Sequence, residues 1–107
     1  MTVKEIIEYT DKLKPNSFDF ETKLSWINFV EGMLQSEILN VPLDKIKVLS
    51  NANDTLLIPH PYSQAYSFYI ASKIDFFTGD FAKYENSSAA YNDAMKLYAK
   101  CVLRGAK

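Results

Sequence analysis

The sequence predicts an all-α fold: a four-helix bundle with a short β-hairpin or extended loop between the second and third helices. Three observations predict it. Four prolines and three glycines in 107 residues are too few for a turn-rich β-sandwich. Apolar residues recur at helical spacing in each of four stretches separated by breakers. In the last third, Phe81, Tyr84, Ser88, Tyr91, Met95, Tyr98 and Val102 alternate steps of three and four residues. That spacing keeps one seam of a helix facing a partner over about three heptads.

The first helix is expected over Val3–Lys14, capped by Thr2, with Glu5 placed three residues on as a capping box requires. Val3, Ile6, Ile7, Thr10 and Leu13 form its inward stripe. Pro15-Asn16-Ser17 ends it. Asp19 caps a long second helix running to about Asn40, where Pro42 forces Val41 out of the helical region. Its inward arc is Phe20, Leu24, Ile27, Val30, Leu34 and Ile38. Lys47–Ser50 and Thr55–Ile58 are β-prone runs on either side of Asn51-Ala52-Asn53-Asp54, the pattern of a small hairpin. Pro59-His60-Pro61 gives a stiff exit. The third helix spans Tyr62–Thr78 and stops at Gly79; the fourth starts at Phe81 with Asp80 as cap. One domain accounts for the whole chain, with no repeat or linker.

Composition narrows the function classes. Twelve basic and thirteen acidic side chains leave a net charge of −1, so sequence-independent nucleic-acid binding by the domain as a whole is not expected. A single cysteine, Cys101, excludes an internal disulfide framework. No run approaches the ~20 apolar residues of a membrane span. Charges at Lys4 and Glu5 stand where a signal peptide would be apolar, so a soluble protein made in a reducing cytoplasm is expected.

Two charges fall on apolar arcs. Glu31 lies mid-arc on the second helix, and Lys73 lies on the arc Tyr62, Ala65, Tyr66, Tyr69, Ile70, Ile74, Phe76 and Phe77 of the third. A buried charge needs a partner, so Glu31 and Lys73 are expected to pair across the interface, with Gly32 letting the backbones approach. The alternative is that Lys73 snorkels, its stem on aromatic rings and its ammonium in water.

Trp26, Phe29 and Met33 make a second apolar flank on the second helix, either covered by the first helix or exposed as a partner site. Phe68, on the polar side of the third helix beside Gln64 and Asp75, is a further interface candidate. Lys96, Lys100 and Arg104 recur every four residues on the outer face of the last helix, with Lys107 just beyond. They complement the helix dipole, or line a surface near DNA. His60 is the only histidine, so no zinc site assembles with Cys101, and a thiol near a helix C-terminus is poorly activated. With no phosphate loop or nucleophile motif either, no metal, cofactor or catalytic site is expected, and an enzyme is the least favoured class.

Three segments in order carry a resemblance. Lys23-Leu24-Ser25-Trp26-Ile27-Asn28 is followed by Val30-Glu31-Gly32. Leu56-Leu57-Ile58-Pro59-His60-Pro61-Tyr62 leads into Tyr69 through Asp80. Tyr84-Glu85-Asn86-Ser87 and Tyr91-Asn92-Asp93-Ala94 come last. Over residues 15–104 the set resembles the small head–tail connector (head-completion adaptor) proteins of tailed bacteriophages and prophages of Gram-positive bacteria. It departs at Cys101-Val102, where an aromatic would be expected, and in the nearly charge-free stretch 48–53. The resemblance implies a helical subunit that self-associates into a ring between portal and tail. It implies portal and tail-side phage proteins as partners, and DNA passing through the channel without sequence-specific binding. Assembly would take place in the bacterial host cytoplasm and the product would sit at the virion head–tail junction. No catalytic residue comes with that family. Two other classes remain from the residues themselves: a small helical regulator acting as a dimer, and a DNA-binding protein using Lys96, Lys100 and Arg104.

Overall fold

A computed structural model describes residues 1–105. The chain forms four α-helices, α1 (Val3–Leu13), α2 (Phe20–Met33), α3 (Gln64–Phe77) and α4 (Phe81–Leu103), with no strand among the described residues. α3 lies at the centre, against all three others and most extensively against α4.

The cap chemistry read from the sequence is present. Thr2 and Glu5 bond reciprocally, the Thr2 N–H donating to Glu5 Oε1 at 2.9 Å and the Glu5 N–H to Thr2 Oγ1 at 3.2 Å. The Asp19 carboxylate accepts from the Thr22 N–H at 2.9 Å. Gly79 at φ +81 turns the chain out of α3: its N–H donates to the Phe76 carbonyl and that of Asp80 to the Asp75 carbonyl. A residue with a Cβ is strained at that φ.

That tight turn sets α3 and α4 antiparallel in one register. Tyr62, Tyr69 and Phe76 recur every seven residues on α3 and its N-terminal approach, and Tyr84, Tyr91 and Tyr98 do so on α4. They meet in pairs placed symmetrically about Asp80: Phe76 with Tyr84 at 5.4 Å between ring centroids, Tyr69 with Tyr91 at 4.9 Å, Tyr62 with Tyr98 at 5.8 Å. The seam of α4 is therefore filled largely from within the chain, by α3. Its first residue, Phe81, is the exception at 61 % exposed.

The core is built from Val3, Ile6, Leu24, Ile27, Val30, Leu34, Leu56, Ile58, Tyr66 and Ile70. Leu13 and Phe20 drop out of it, 68 % and 36 % exposed, because each lies in an end turn that no neighbour covers. Besides the contact of Glu31 with Tyr66, three polar ties cross the helices. Thr10 Oγ1 donates to Ser67 Oγ at 2.9 Å. The Lys23 ammonium, almost fully buried, reaches both Asp11 carboxylate oxygens at 2.9 Å. Buried Asp75 takes Lys14 Nζ at 2.6 Å and the Ser87 hydroxyl at 2.7 Å, joining α1, α3 and α4.

The second helix does not run to Asn40 as one α-helix. It widens into a π turn over Leu34–Ile38, after which the chain turns at Asn40 (φ 56). A single 3-10 turn, Leu43–Lys45, follows. Of the expected hairpin or extended loop, the hairpin does not form, since no ladder joins 47–50 to 55–58. Thr55 instead makes one antiparallel bridge to Thr2, and the Leu56 N–H donates to the Met1 carbonyl at 2.9 Å.

Candidate functional site

The polar centre of the molecule is Glu31, but its partner is not Lys73. Glu31 is 1 % exposed on α2. The Tyr66 hydroxyl, from α3, donates to its Oε2, and the Leu57 N–H donates to Oε1 at 3.3 Å. Tyr66 Oη in turn accepts from the Ile58 N–H at 2.9 Å. Burial raises the Glu31 pKa above its ordinary value despite these two donors. Burial, with the Glu31 charge next, pushes the Tyr66 hydroxyl far above the ordinary phenol range, so it stays a donor. Lys73 takes the snorkelling alternative, its ammonium 5.4 Å from the centroid of the Tyr69 ring. Nor does Gly32 mediate a close approach: a Cβ there would meet nothing within 4 Å.

The same face of α2 holds the 43–60 loop. Gln35 Nε2 donates to the Lys47 carbonyl and Gln35 Oε1 accepts the Lys47 N–H, both at 2.9 Å. Asn28 does the same two residues on, Nδ2 to the Leu49 carbonyl at 2.9 Å and Oδ1 from the Leu49 N–H at 2.8 Å. Asn28 on α2 and Gln35 in the π turn that continues it stand about two turns apart, so their amides meet alternate residues of an extended segment. They satisfy the inward-facing groups of 47 and 49, while 55–58 is drawn to Thr2, Met1, Glu31 and Tyr66, so the two runs do not meet as a hairpin. Neither residue stands out in the sequence as a site.

The interface candidates separate. Trp26 is 8 % exposed, stacked on Phe77 at 6.1 Å with rings 11° apart and met edge-on by Phe18 at 5.3 Å. It belongs to the chain's own interior, covered by Phe18 and Phe77. Phe29 and Met33 are 51 % and 40 % exposed, Phe29 resting flat on Tyr69 at 5.4 Å. Phe68 is half-buried.

The largest aromatic surface lies elsewhere. Phe76 and Phe77, placed by sequence in the core arc, are 47 % and 58 % exposed at the α3–α4 turn. Both lie in the last turn of α3, just before the chain turns at Gly79. Phe77 meets Phe76 edge-on at 5.4 Å, and Phe76 meets Phe81 at 6.2 Å. The result is one continuous ladder of rings from Trp26 to Phe81.

Lys96, Lys100 and Arg104 are exposed, and none forms an ion pair within the described residues; Lys107 lies outside them. Beside them, Glu37, Ile38, Asn40, Ala99, Val102 and Leu103 line an open groove of about 210 Å³. His60 is exposed and Cys101 is buried in α4, and no cluster of His, Cys, Asp or Glu among the described residues is arranged to hold a metal. No helix among them is long and apolar enough to cross a membrane. No family model matches this chain, and no curated protein or solved structure matches it.

Proposed function

We propose that this protein is a structural subunit that works by self-association and docking, a head–tail connector adaptor of a tailed phage or prophage. The observation that carries the reading is the ladder Phe77–Phe76–Phe81 at the α3–α4 turn. At the exposures of these three side chains it leaves about 300 Å² of aromatic surface to water, the range at which an apolar patch on a monomer is often functional. Trp26, stacked beneath Phe77, gives the patch a rigid floor. The specific identity rests on the resemblance. Its residues supply much of what ties this subunit together: Trp26 on Phe77, Glu31 with Tyr66 and Leu57, and Tyr84 and Tyr91 against α3. In this reading a four-helix bundle packs as a ring between portal and tail, with α3 and α4 as the stiff core. Phe29, Met33, Phe68 and the 43–60 loop join the ladder as contacts with neighbours. Lys96, Lys100 and Arg104 face the channel through which DNA passes.

The double variant Phe76→Ser, Phe81→Ser tests it. Sedimentation of the native chain at rising concentration is expected to show assemblies larger than two copies, and the variant to sediment as one subunit with unchanged helical content. Equal assembly by both would sink the reading. A dimeric regulatory module is the second reading, favoured because Trp26 and most of the α4 seam are already covered within the chain. Assembly that stops at two copies decides for it. Should the basic stripe instead bind DNA directly, affinity for a duplex falls with salt, at a log–log slope of about −3 for three phosphate contacts.

A further inference from the structure

The segment 46–50 leaves a free β edge on its outward side, and we propose that this edge pairs with the same edge of a second copy of the chain. Lys47 and Leu49 both turn N–H and C=O toward α2, where Gln35 and Asn28 satisfy all four groups. In an extended chain the residue between them turns its own pair the opposite way. Val48 is 72 % exposed, and neither its N–H nor its C=O has a hydrogen-bond partner among the described residues. The edge is short. Asp54 Oδ2 accepts the Ser50 N–H at 3.0 Å, and the Ile46 N–H turns back to the Leu43 carbonyl at 3.5 Å. One open rung remains, centred on Val48 and held in place by two side-chain clamps. An exposed edge of this kind is a template for another strand.

The rung is self-complementary. Two copies related by a twofold axis at Val48 run antiparallel, each Val48 N–H donating to the other's C=O as a closely spaced pair. That register sets Ile46 of one copy beside Ser50 of the other, and so brings Lys45, which ends the 3-10 turn just before it, to the end of the edge where the Asp54 carboxylate accepts from the N–H groups of Ser50 and Asn51 at 3.0 Å. Lys45 is exposed and has no acidic partner among the described residues. The pairing gives it Asp54 of the second copy, at both ends of the contact. This charge match favours a second copy over an extended peptide of some other protein. Two hydrogen bonds and two ion pairs fall short of a standard interface, so the contact is weak and fills only at high protein concentration. For its partner the inference rests on the self-association reading above, but it uses a different surface.

Amide exchange separates the two. Over an about tenfold rise in concentration, exchange at the Val48 amide is expected to slow several-fold, in proportion to the paired fraction. The amides of Lys47 and Leu49, already bonded, should not change. Lys45→Glu should abolish the slowing, and Val48→Pro, which deletes the donor without breaking a bond inside the subunit, should remove the edge-dependent part of the association seen by diffusion. Slowing that persists in Phe76→Ser, Phe81→Ser establishes the edge contact apart from the aromatic ladder, even if the ladder itself proves inert. A Val48 amide that exchanges equally fast at every concentration overturns the proposal. So does slowing retained in Lys45→Glu, or slowing lost with the ladder, since association elsewhere would then be covering Val48.

Discussion

Tyr66→Phe is expected to lower the unfolding free energy by about 2–4 kcal/mol, a fall in Tm of roughly 10–20 °C for a domain of this size. The substitution removes one oxygen that does two jobs. The Ile58 N–H loses its acceptor, and the 1 %-exposed carboxylate of Glu31 loses its donor from α3. A buried group left unpartnered costs more than the net worth of the bond that satisfied it. Lys73→Met, by contrast, gives up only a partly wet contact with the Tyr69 ring and should cost under about 1 kcal/mol. Urea unfolding of the two variants checks the order; a Lys73→Met penalty equal to that of Tyr66→Phe would mean that Glu31 depends on the lysine after all.

The same centre sets a pH dependence. Because burial raises the Glu31 pKa, the folded chain keeps that proton to a higher pH than the unfolded chain, whose value stays near the ordinary 4.5. Between the two values the native state binds more protons, so this group makes stability fall as pH rises through that window and level off above it. Glu5 and Asp19, held low by their cap hydrogen bonds, act with the opposite sign. The clean measurement is therefore the difference between the native chain and Glu31→Gln across a pH series. That difference should slope downward from about pH 4.5, and a flat one would place the carboxylate in water.

What the sequence made legible was local. The Thr2–Glu5 box, the Asp19 cap and the Gly79 stop depend on residues within five positions of one another, and the structure contains each of them. What stayed hidden was the choice of partner between distant segments. Glu31 was read as needing an opposite charge, yet a tyrosine hydroxyl and a backbone N–H satisfy it. The available signal was Tyr66 itself, since a tyrosine inside a core arc must find a partner for its hydroxyl. The α4 seam was read as facing another protein because its period was taken alone. Set beside the identical period of Tyr62, Tyr69 and Phe76, and folded at Gly79, it finds its partner within the chain. Trp26 went the same way once Phe77 came over it. Nothing in the sequence marks Lys23 for burial, and only the tertiary position of Asp11 shows why it is buried.

The hairpin failed for a reason that makes the second large effect. β-propensity around Asn51–Asp54 describes what 47–50 and 55–58 prefer in isolation, but in the fold 47 and 49 are clamped by Asn28 and Gln35 while 55–58 bonds to Thr2, Met1, Glu31 and Tyr66. Asn28→Ala with Gln35→Ala removes the four hydrogen bonds to the segment at a net ~1 kcal/mol each. The segment should then open locally while the helices stay folded, because Leu56, Ile58 and the Tyr66 contact lie further along the chain. Opening made easier by about 3–4 kcal/mol speeds exchange of the Lys47 and Leu49 amides by roughly 10²–10³-fold, with either single change giving about half that on a logarithmic scale. Unchanged exchange at both amides would show that packing of Leu49 against the core, not the two clamps, holds the loop. The outcome also bears on assembly: an edge at Val48 is a defined docking element only while its neighbours are pinned, so a loop freed from α2 would lose the ordering that lets one rung of backbone recognise another copy.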